Sequence, residues 1–449
     1  MHNDEPTLID GLERSALVKE VAEAIADCTP PHVFGIHGDW GLGKTSFLHQ
    51  VQLYLTGMCP QHSEDDVKAA SNGAIPCGVH KDTIRTVWFD AWRYQNEEAP
   101  VVALLHEMRA QLSWLARMDR TIDRASEIAI RGALLSLEEL TKKIGFQYSK
   151  FRDARREIDT ESLATDLPSH TLRAHLDETI GKLLPRKKRG KTAPKLVVFI
   201  DDVDRCEPEA AYKLLEGLKI YLTLDNCVFV LGMNQKVIEE AIGKQLGDDA
   251  NLQIIRAAAY MEKLCQNVWR LPIVRKPSRV LYDLLDENVV REWILRGVEN
   301  RGCLPPNPRR LKGLANLLTR LSARLPQHIG ANDDPAAIRE AQLLMIVAYI
   351  YQFHHDLYVR WESDPSLYDR IFDWCRGGEI EDLPFLHSLM LPKQEVVISE
   401  STPTPQREIR TTYPDPTEAR VFWIQSLILD LGSEVTSGQF ERYLHGAPA

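Results

Sequence analysis

Cysteine is scarce in this sequence: eight in 449 residues is too few for a disulfide framework, and a reducing compartment keeps such thiols free unless a metal takes them. No apolar run approaches the roughly 20 residues that a bilayer-spanning helix needs. The start, MHNDEPTLIDGLER, lacks the basic and apolar regions of a secretion signal, so a cytoplasmic chain that makes no membrane contact is expected. An excess of basic charge is missing too. At a net charge of −10 nothing global draws the chain to nucleic acid, and any such contact has to be a local patch. What is there is ordinary for a globular protein: 44% hydrophobic and 26% charged residues argue against disorder or fibre, and the length predicts two or three structural units.

The apolar positions of LERSALVKEVAEAIAD, 12–27, fall at helical spacing, and HVFGIHGDWGLGKTSFLHQVQLYL reads as strand, glycine-rich turn and helix. Residues 57–83 are polar and turn-rich, whereas TIRTVWFDAWRY is a β-branched and aromatic run read as a second strand. From about 100 to 190 the pattern is charged and amphipathic, which predicts a helical insertion. KLVVFIDDVDRC and NCVFVLGMN supply two further buried strands with a helix between them. Strands alternating with helices predict an α/β fold with a parallel sheet and a ligand at the carboxyl ends of its strands. Strand signals stop after Pro272. The expected domains are therefore 1–272, the α/β unit; 273–330, a helical lid; and 331–449, a helical accessory region with a loop or linker over 393–416.

GDWGLGKT fits the phosphate-loop pattern G-x-x-x-x-G-K-[ST] in its proper strand-to-helix context. The expected nucleotide contacts are Gly38, Asp39, Trp40, Gly41, Leu42, Gly43, Lys44, Thr45 and Ser46. Backbone N–H groups at the helix start meet the phosphates, Lys44 reaches the β and γ oxygens, and the Thr45 hydroxyl holds Mg²⁺. The strand KLVVFID delivers Asp201 as the Mg²⁺-side carboxylate, and Asp202 as the group that orients or deprotonates the attacking water. Its side chain is shorter than the glutamate common at this place in ATPases. Asn234, ending the fourth strand, is read as a sensor of the γ-phosphate or as a cap of the following helix. Arg309 or Arg310, at the start of the helix NPRRLKGLANLL, is read as a lid arginine that meets the phosphates or as a surface residue. Asp204 and Arg205 are expected to pair with each other, to face a neighbouring subunit, or to form a solvated turn.

Taken in order, GDWGLGKTSFL, VWFDAWRY, VVFIDDVDRCEP, VFVLGMN, AAYMEKLCQNVWRLP and NPRRLKGLANLL resemble the KAP family of P-loop NTPases over roughly residues 5–325. The resemblance implies a STAND-like ATPase, with the phosphate loop on Gly38, Gly43, Lys44 and Thr45 and the acidic cluster on Asp201, Asp202 and Asp204. It places Lys263 in the family's E-K motif, as a finger reaching a neighbouring subunit or as a helix-surface lysine. It also implies a part in bacterial antiviral defence beside an operon-encoded effector. Family members often carry membrane spans inside the NTPase domain; this chain has amphipathic helices there.

Three functions remain at this level: an ATP-hydrolysing switch that oligomerises into a ring or dimer, a non-hydrolysing nucleotide-bound scaffold, and a kinase with a small acceptor. The paired Asp201 and Asp202 favour the first. Cys59, His62, Cys77 and His80 form C-x2-H…C-x2-H in a polar loop, read as a Zn²⁺ site or as unrelated loop residues. Trp88, Phe89, Trp92 and Tyr94 are read as packing, or as a stacking surface. RKKRGK, 186–191, is read as a solvated linker or a phosphate-binding patch, and His354 and His355 as ordinary helix residues.

Overall fold

The computed structural model describes residues 3–97, 193–221, 224–246, 250–285, 304–322, 335–375, 393–399, 406–412 and 435–444, Arg291, and parts of 100–112 and 177–184. Most of the insertion expected over 100–190, and all of RKKRGK, lie outside the described residues. The chain divides into two compact units, one of Glu5–Pro272 and one of Ile273–Ala449 with Met1–Asp4.

In the first unit, five parallel strands lie in the order β2-β3-β4-β1-β5. They are β1 (His32–His37), β2 (Ile84–Asp90), β3 (Lys195–Asp201), β4 (Cys227–Met233) and β5 (Asn267–Arg270). Every residue of β3 and β4 is buried, as their unbroken apolar runs require of strands covered on both faces. Successive side chains of β3 alternate between two cores. Leu196, Val198 and Ile200 join one, and Val197 and Phe199 the other. The second core is closed by α1 (Ser15–Asp27) and α2 (Lys44–Thr56). Helix α1 buries Val18, Val21, Ala22 and Ile25, the spacing of one helical face, whereas α2 buries ten of its thirteen residues.

β5 was not legible in the sequence. It is a four-residue edge strand, largely exposed, so NVWR carries no apolar run to announce it. VWFDAWRY does not stay extended either: it leaves the sheet at Asp90, and Trp92–Tyr94 forms a 3₁₀ turn. Trp88 stacks on Phe199 and Phe89 on Tyr94, while Trp92 stays exposed beneath the Arg205 guanidinium, 5.7 Å from its ring centroid. The polar stretch after α2 contains a further helix, α3 (Glu64–Ser71), closed by a Ser63–Asp66 capping box.

The second unit is mainly helical. Its core gathers Leu311, Leu314 and Leu318, Leu344 to Ile350, Trp361, Tyr368, Phe440 and Tyr443. It departs from an all-helical expectation at 393–416, where Lys393–Ser399 and Gln406–Thr412 pair as antiparallel strands β6 and β7. KQEVVIS and QREIRTT are short and mixed in polarity, so the proline- and threonine-rich composition around them masked the pairing. No helix among the described residues is long and apolar enough to cross a membrane. His354 and His355 lie at the start of a helix against Tyr349 and Tyr351.

Candidate nucleotide-binding site

The site is built at the carboxyl ends of β1, β3 and β4. GDWGLGKT joins β1 to α2, and Gly41 and Gly43 take positive φ values of 79° and 81°, which glycine adopts without the Cβ clash of other residues. The loop thus turns the first backbone N–H groups of α2 outward, an anion-binding arrangement. Its path is held from outside. Arg14, buried, donates from Nη1 to the Leu42 carbonyl at 2.6 Å and from Nη2 to the Pro272 carbonyl at 2.6 Å, tying the loop to the chain just past β5. The Ser46 hydroxyl accepts from the Thr7 amide at 3.0 Å.

The acidic ends of β2 and β3 meet this loop across β4. Two strand spacings, about 10 Å, separate β1 from β3, and only side chains close that gap. Asp201 is 2% exposed, and the Thr45 side chain lies close enough to lower its carboxyl against the rise that burial causes. Its Oδ1 has no hydrogen-bond partner. Room for this carboxylate exists because the intervening strand has no side chain at Gly232: a Cβ there would stand 2.5 Å from Asp201 Oδ1 and 2.6 Å from Leu48 Cδ1. Burial, and then the neighbouring charge of Asp202, push the Asp201 carboxyl up to about 7. A buried, partnerless carboxylate oxygen beside a threonine hydroxyl on a phosphate loop is the donor set that a hard divalent cation takes. The residues present therefore fit Mg²⁺, which Thr45 and Asp201 would hold.

Asp202 sits at φ 58°, in the left-handed region, which swings its carboxylate off the strand direction and onto Arg205 Nε at 2.9 Å. Asp204 and Arg205 do not pair with each other. Asp204 Oδ2 instead receives Lys44 Nζ at 3.2 Å and Trp40 Nε1 at 2.8 Å, and the Lys44–Asp204 ion pair is buried on both sides. Lys44 also donates to the Gly38 carbonyl at 2.8 Å. Trp40 keeps 55% of its surface exposed despite its bond. Asn234 caps the following helix and also reaches the phosphate loop. Its Nδ2 donates to Asp39 Oδ1 at 3.1 Å, linking β4 to the phosphate loop, and its Oδ1 accepts the Lys236 amide at 3.2 Å in the next helix.

Three contributors were not singled out in the sequence. Asp90 ends β2 directly opposite Asp201, and its charge raises the Asp202 carboxyl alongside burial and Asp204, against the lowering effect of Arg205. The strand-ending FDAW was its signal. Gly232 looked like any glycine in an apolar strand. His37, at the end of β1, accepts the Gln235 amide on Nδ1 at 2.9 Å, and burial holds its pKa below the usual value.

Other expected residues have partners of their own. Arg309, in the second unit, makes a two-pronged ion pair with Asp4 at 2.7 and 3.0 Å, and the Arg310 guanidinium stands 4.7 Å over Phe353. Lys263 is exposed on its helix. The four-residue Cys/His set does not converge. His80 Nε2 pairs with Glu23 at 3.1 Å and Cys77 lies by Ser71, so neither joins Cys59 and His62. His49 of α2 takes their place, because the turn after α2 folds back onto that helix.

Among solved structures, the chain is similar to the Aeropyrum pernix ORC1 protein in complex with DNA, at 12% identity and a TM-score of 0.33, covering 93% of this chain and 92% of that one. No curated protein matches the chain. The family model described as the KAP family P-loop domain matches residues 14–294, which takes in the phosphate loop, the acidic strand end and all five parallel strands. A phosphate loop, a buried carboxylate two strands away and a matched span of well over half the chain lead to one conclusion: the chain belongs to the KAP family of P-loop NTPases.

Proposed function

We propose that this chain binds ATP with Mg²⁺, hydrolyses it, and uses the cycle as a switch acting on a partner protein. The observation that carries this reading is the Asp201 carboxylate, buried with one oxygen unpartnered beside Thr45 of the phosphate loop. Bound Mg²⁺ would neutralise the charge of the reacting phosphates. The chain's own residues do the rest. The amides at the start of α2 bind the phosphates, and Lys44 exchanges Asp204 and the Gly38 carbonyl for phosphate oxygens. Asp202, its orientation set by Arg205, accepts the proton of the attacking water; burial makes it a better base than an ordinary aspartate. Asn234 couples the end of β4 to Asp39 and so reports on the γ-phosphate side of the loop.

The test is phosphate release from radiolabelled ATP with Mg²⁺, alone and with co-expressed partners. Lys44→Ala abolishes binding or turnover, and Asp202→Asn keeps binding while stopping turnover. Wild-type hydrolysis in the Asp202 variant would remove the base assignment. A second reading is a non-hydrolysing scaffold for a partner enzyme, favoured by the short Asp202 side chain and its engagement with Arg205. Bound ATP without phosphate release identifies it. A role in bacterial antiphage defence beside an operon-encoded effector rests on the family resemblance. Sedimentation that shifts with ATP supports the oligomer, with Arg309 or Arg310 as the lid arginine.

A further inference from the structure

Behind the phosphate loop, α2 and the turn that follows it carry a second constellation that the nucleotide chemistry does not use. His49, Cys59 and His62 bring one ligand atom each to within 4.8 Å of one another. His49 and Cys59 are each 3% exposed, and His62 is half-buried. The Cys59–Pro60–Gln61–His62 segment is a single turn closed by the His62 amide on the Cys59 carbonyl at 3.0 Å, so a thiol and an imidazole leave one turn together. That turn lies back on α2, where Leu8, Leu53, Cys59 and Ala70 form a small apolar cluster bordered by Val67 and Cys77. The neighbouring side chains that offer oxygen are Gln52 and Gln61, 3.5 and 3.4 Å from Cys59 Sγ.

The two imidazoles meet nitrogen to nitrogen, His49 Nδ1 to His62 Nε2 at 2.8 Å. Facing nitrogens of two neutral rings hold one proton between them, so one donates and the other accepts. The remaining nitrogen of His49, Nε2, is buried with no hydrogen-bond partner. The His49 ring is walled by the Trp88 ring 4.2 Å away, and Nδ1 is the nitrogen it turns toward His62. Two imidazoles and a thiol within reach of one point are the ligands that zinc selects, with nitrogen at about 2.0–2.1 Å and sulfur at about 2.3 Å.

We propose that His49, Cys59 and His62 form a Zn²⁺ site that clips the loop after the phosphate-loop helix onto that helix. Tetrahedral zinc sets its nitrogen ligands about 3.3 Å apart and nitrogen from sulfur about 3.6 Å apart. The histidine pair opens by about half an ångström from its present contact, and the thiol, carried on a surface turn, closes in. Cys59 releases its thiol proton to solvent as the zinc–sulfur bond forms, and both histidines bind as neutral rings. Water takes the fourth position, on the half-buried His62 side. Cys77 and His80 take no part.

The test uses the full chain. The purified protein is stripped with chelator and dialysed against Zn²⁺, and its metal content is measured; a second sample is loaded with Co²⁺ and its absorption spectrum recorded. Wild type retains about one equivalent of zinc, and the cobalt form shows a thiolate-to-metal charge-transfer band together with the strong visible bands of tetrahedral coordination. Cys59→Ser loses the charge-transfer band. Its zinc affinity falls by more than the roughly 10- to 100-fold that loss of an outer-shell partner produces. Cys77→Ser and His80→Gln keep both properties. A wild-type chain that retains no zinc, a cobalt form without the thiolate band, or a band that survives Cys59→Ser and disappears with Cys77→Ser would each overturn the proposal. The wild-type cobalt spectrum decides even where a variant does not fold.

Discussion

Replacing Asp201 with asparagine is expected to stabilise the nucleotide-free protein and to remove its stabilisation by nucleotide. The Asp201 carboxyl titrates near 7 where an ordinary aspartate titrates at 3.8. Between those values the folded chain holds a proton that the unfolded chain has released, so stability falls as pH rises through the window and the full penalty stands above it. At about 1.4 kcal/mol per pH unit, ionising this carboxyl in place costs up to about 4 kcal/mol. The amide of the Asp201→Asn variant has the same shape and does not titrate. At about 2–4 °C per kcal/mol for a unit of this size, the variant should melt several degrees above wild type at about pH 8 and close to it at about pH 4. With Mg²⁺ and ATP at a hundred times Kd the wild type gains about 2.7 kcal/mol, and the variant, lacking the carboxylate, gains much less. Scanning calorimetry at both pH values, with and without Mg·ATP, reads all of this. A variant that melts below wild type at pH 8 without nucleotide, or a difference that does not change with pH, refutes the reasoning.

Three further outcomes follow from the same geometry. Gly232→Ala places a methyl 2.5 Å from Asp201 Oδ1 and 2.6 Å from Leu48 Cδ1, so it should destabilise by about 1–3 kcal/mol and weaken Mg·ATP binding; unchanged affinity by titration calorimetry would show that the glycine does not shape the site. Asp204→Ala strands Lys44 in a buried position, at a cost of roughly 3–5 kcal/mol without nucleotide and less with it, because phosphate then answers the lysine. Equal losses in urea denaturation with and without ATP would count against that exchange. Asp90→Asn removes a charge that raises the Asp202 carboxyl, so the acid limb of the kcat–pH profile should move to lower pH, and an unmoved limb would separate Asp90 from the base.

The phosphate loop and the acidic strand end were readable in the sequence because their chemistry is local. Two glycines, a lysine and a threonine act within eight consecutive residues, and the buried strands β1, β3 and β4 announce themselves by unbroken apolar runs. The expected parallel α/β sheet follows from strands alternating with helices. β5 escaped because an exposed edge strand has no apolar pattern, and the β6–β7 pair because its residues are mixed in polarity and its neighbours are turn-formers.

Which charges meet was a matter of tertiary structure alone. Lys44 and Asp204 stand 160 residues apart, and nothing local made Asp204 rather than Asp202 the lysine's partner. The strand order decided it: β4 intervenes between β1 and β3, so the loop reaches the acidic turn only across Gly232, whose missing Cβ has no meaning until that neighbour is known. The same holds for His49. A regular C-x2-H…C-x2-H spacing pointed along the loop, whereas the turn folds back onto α2 and exchanges two loop residues for one helix residue. Spacing predicts partners only within a single turn or strand; beyond that, packing of the chain against itself chooses them.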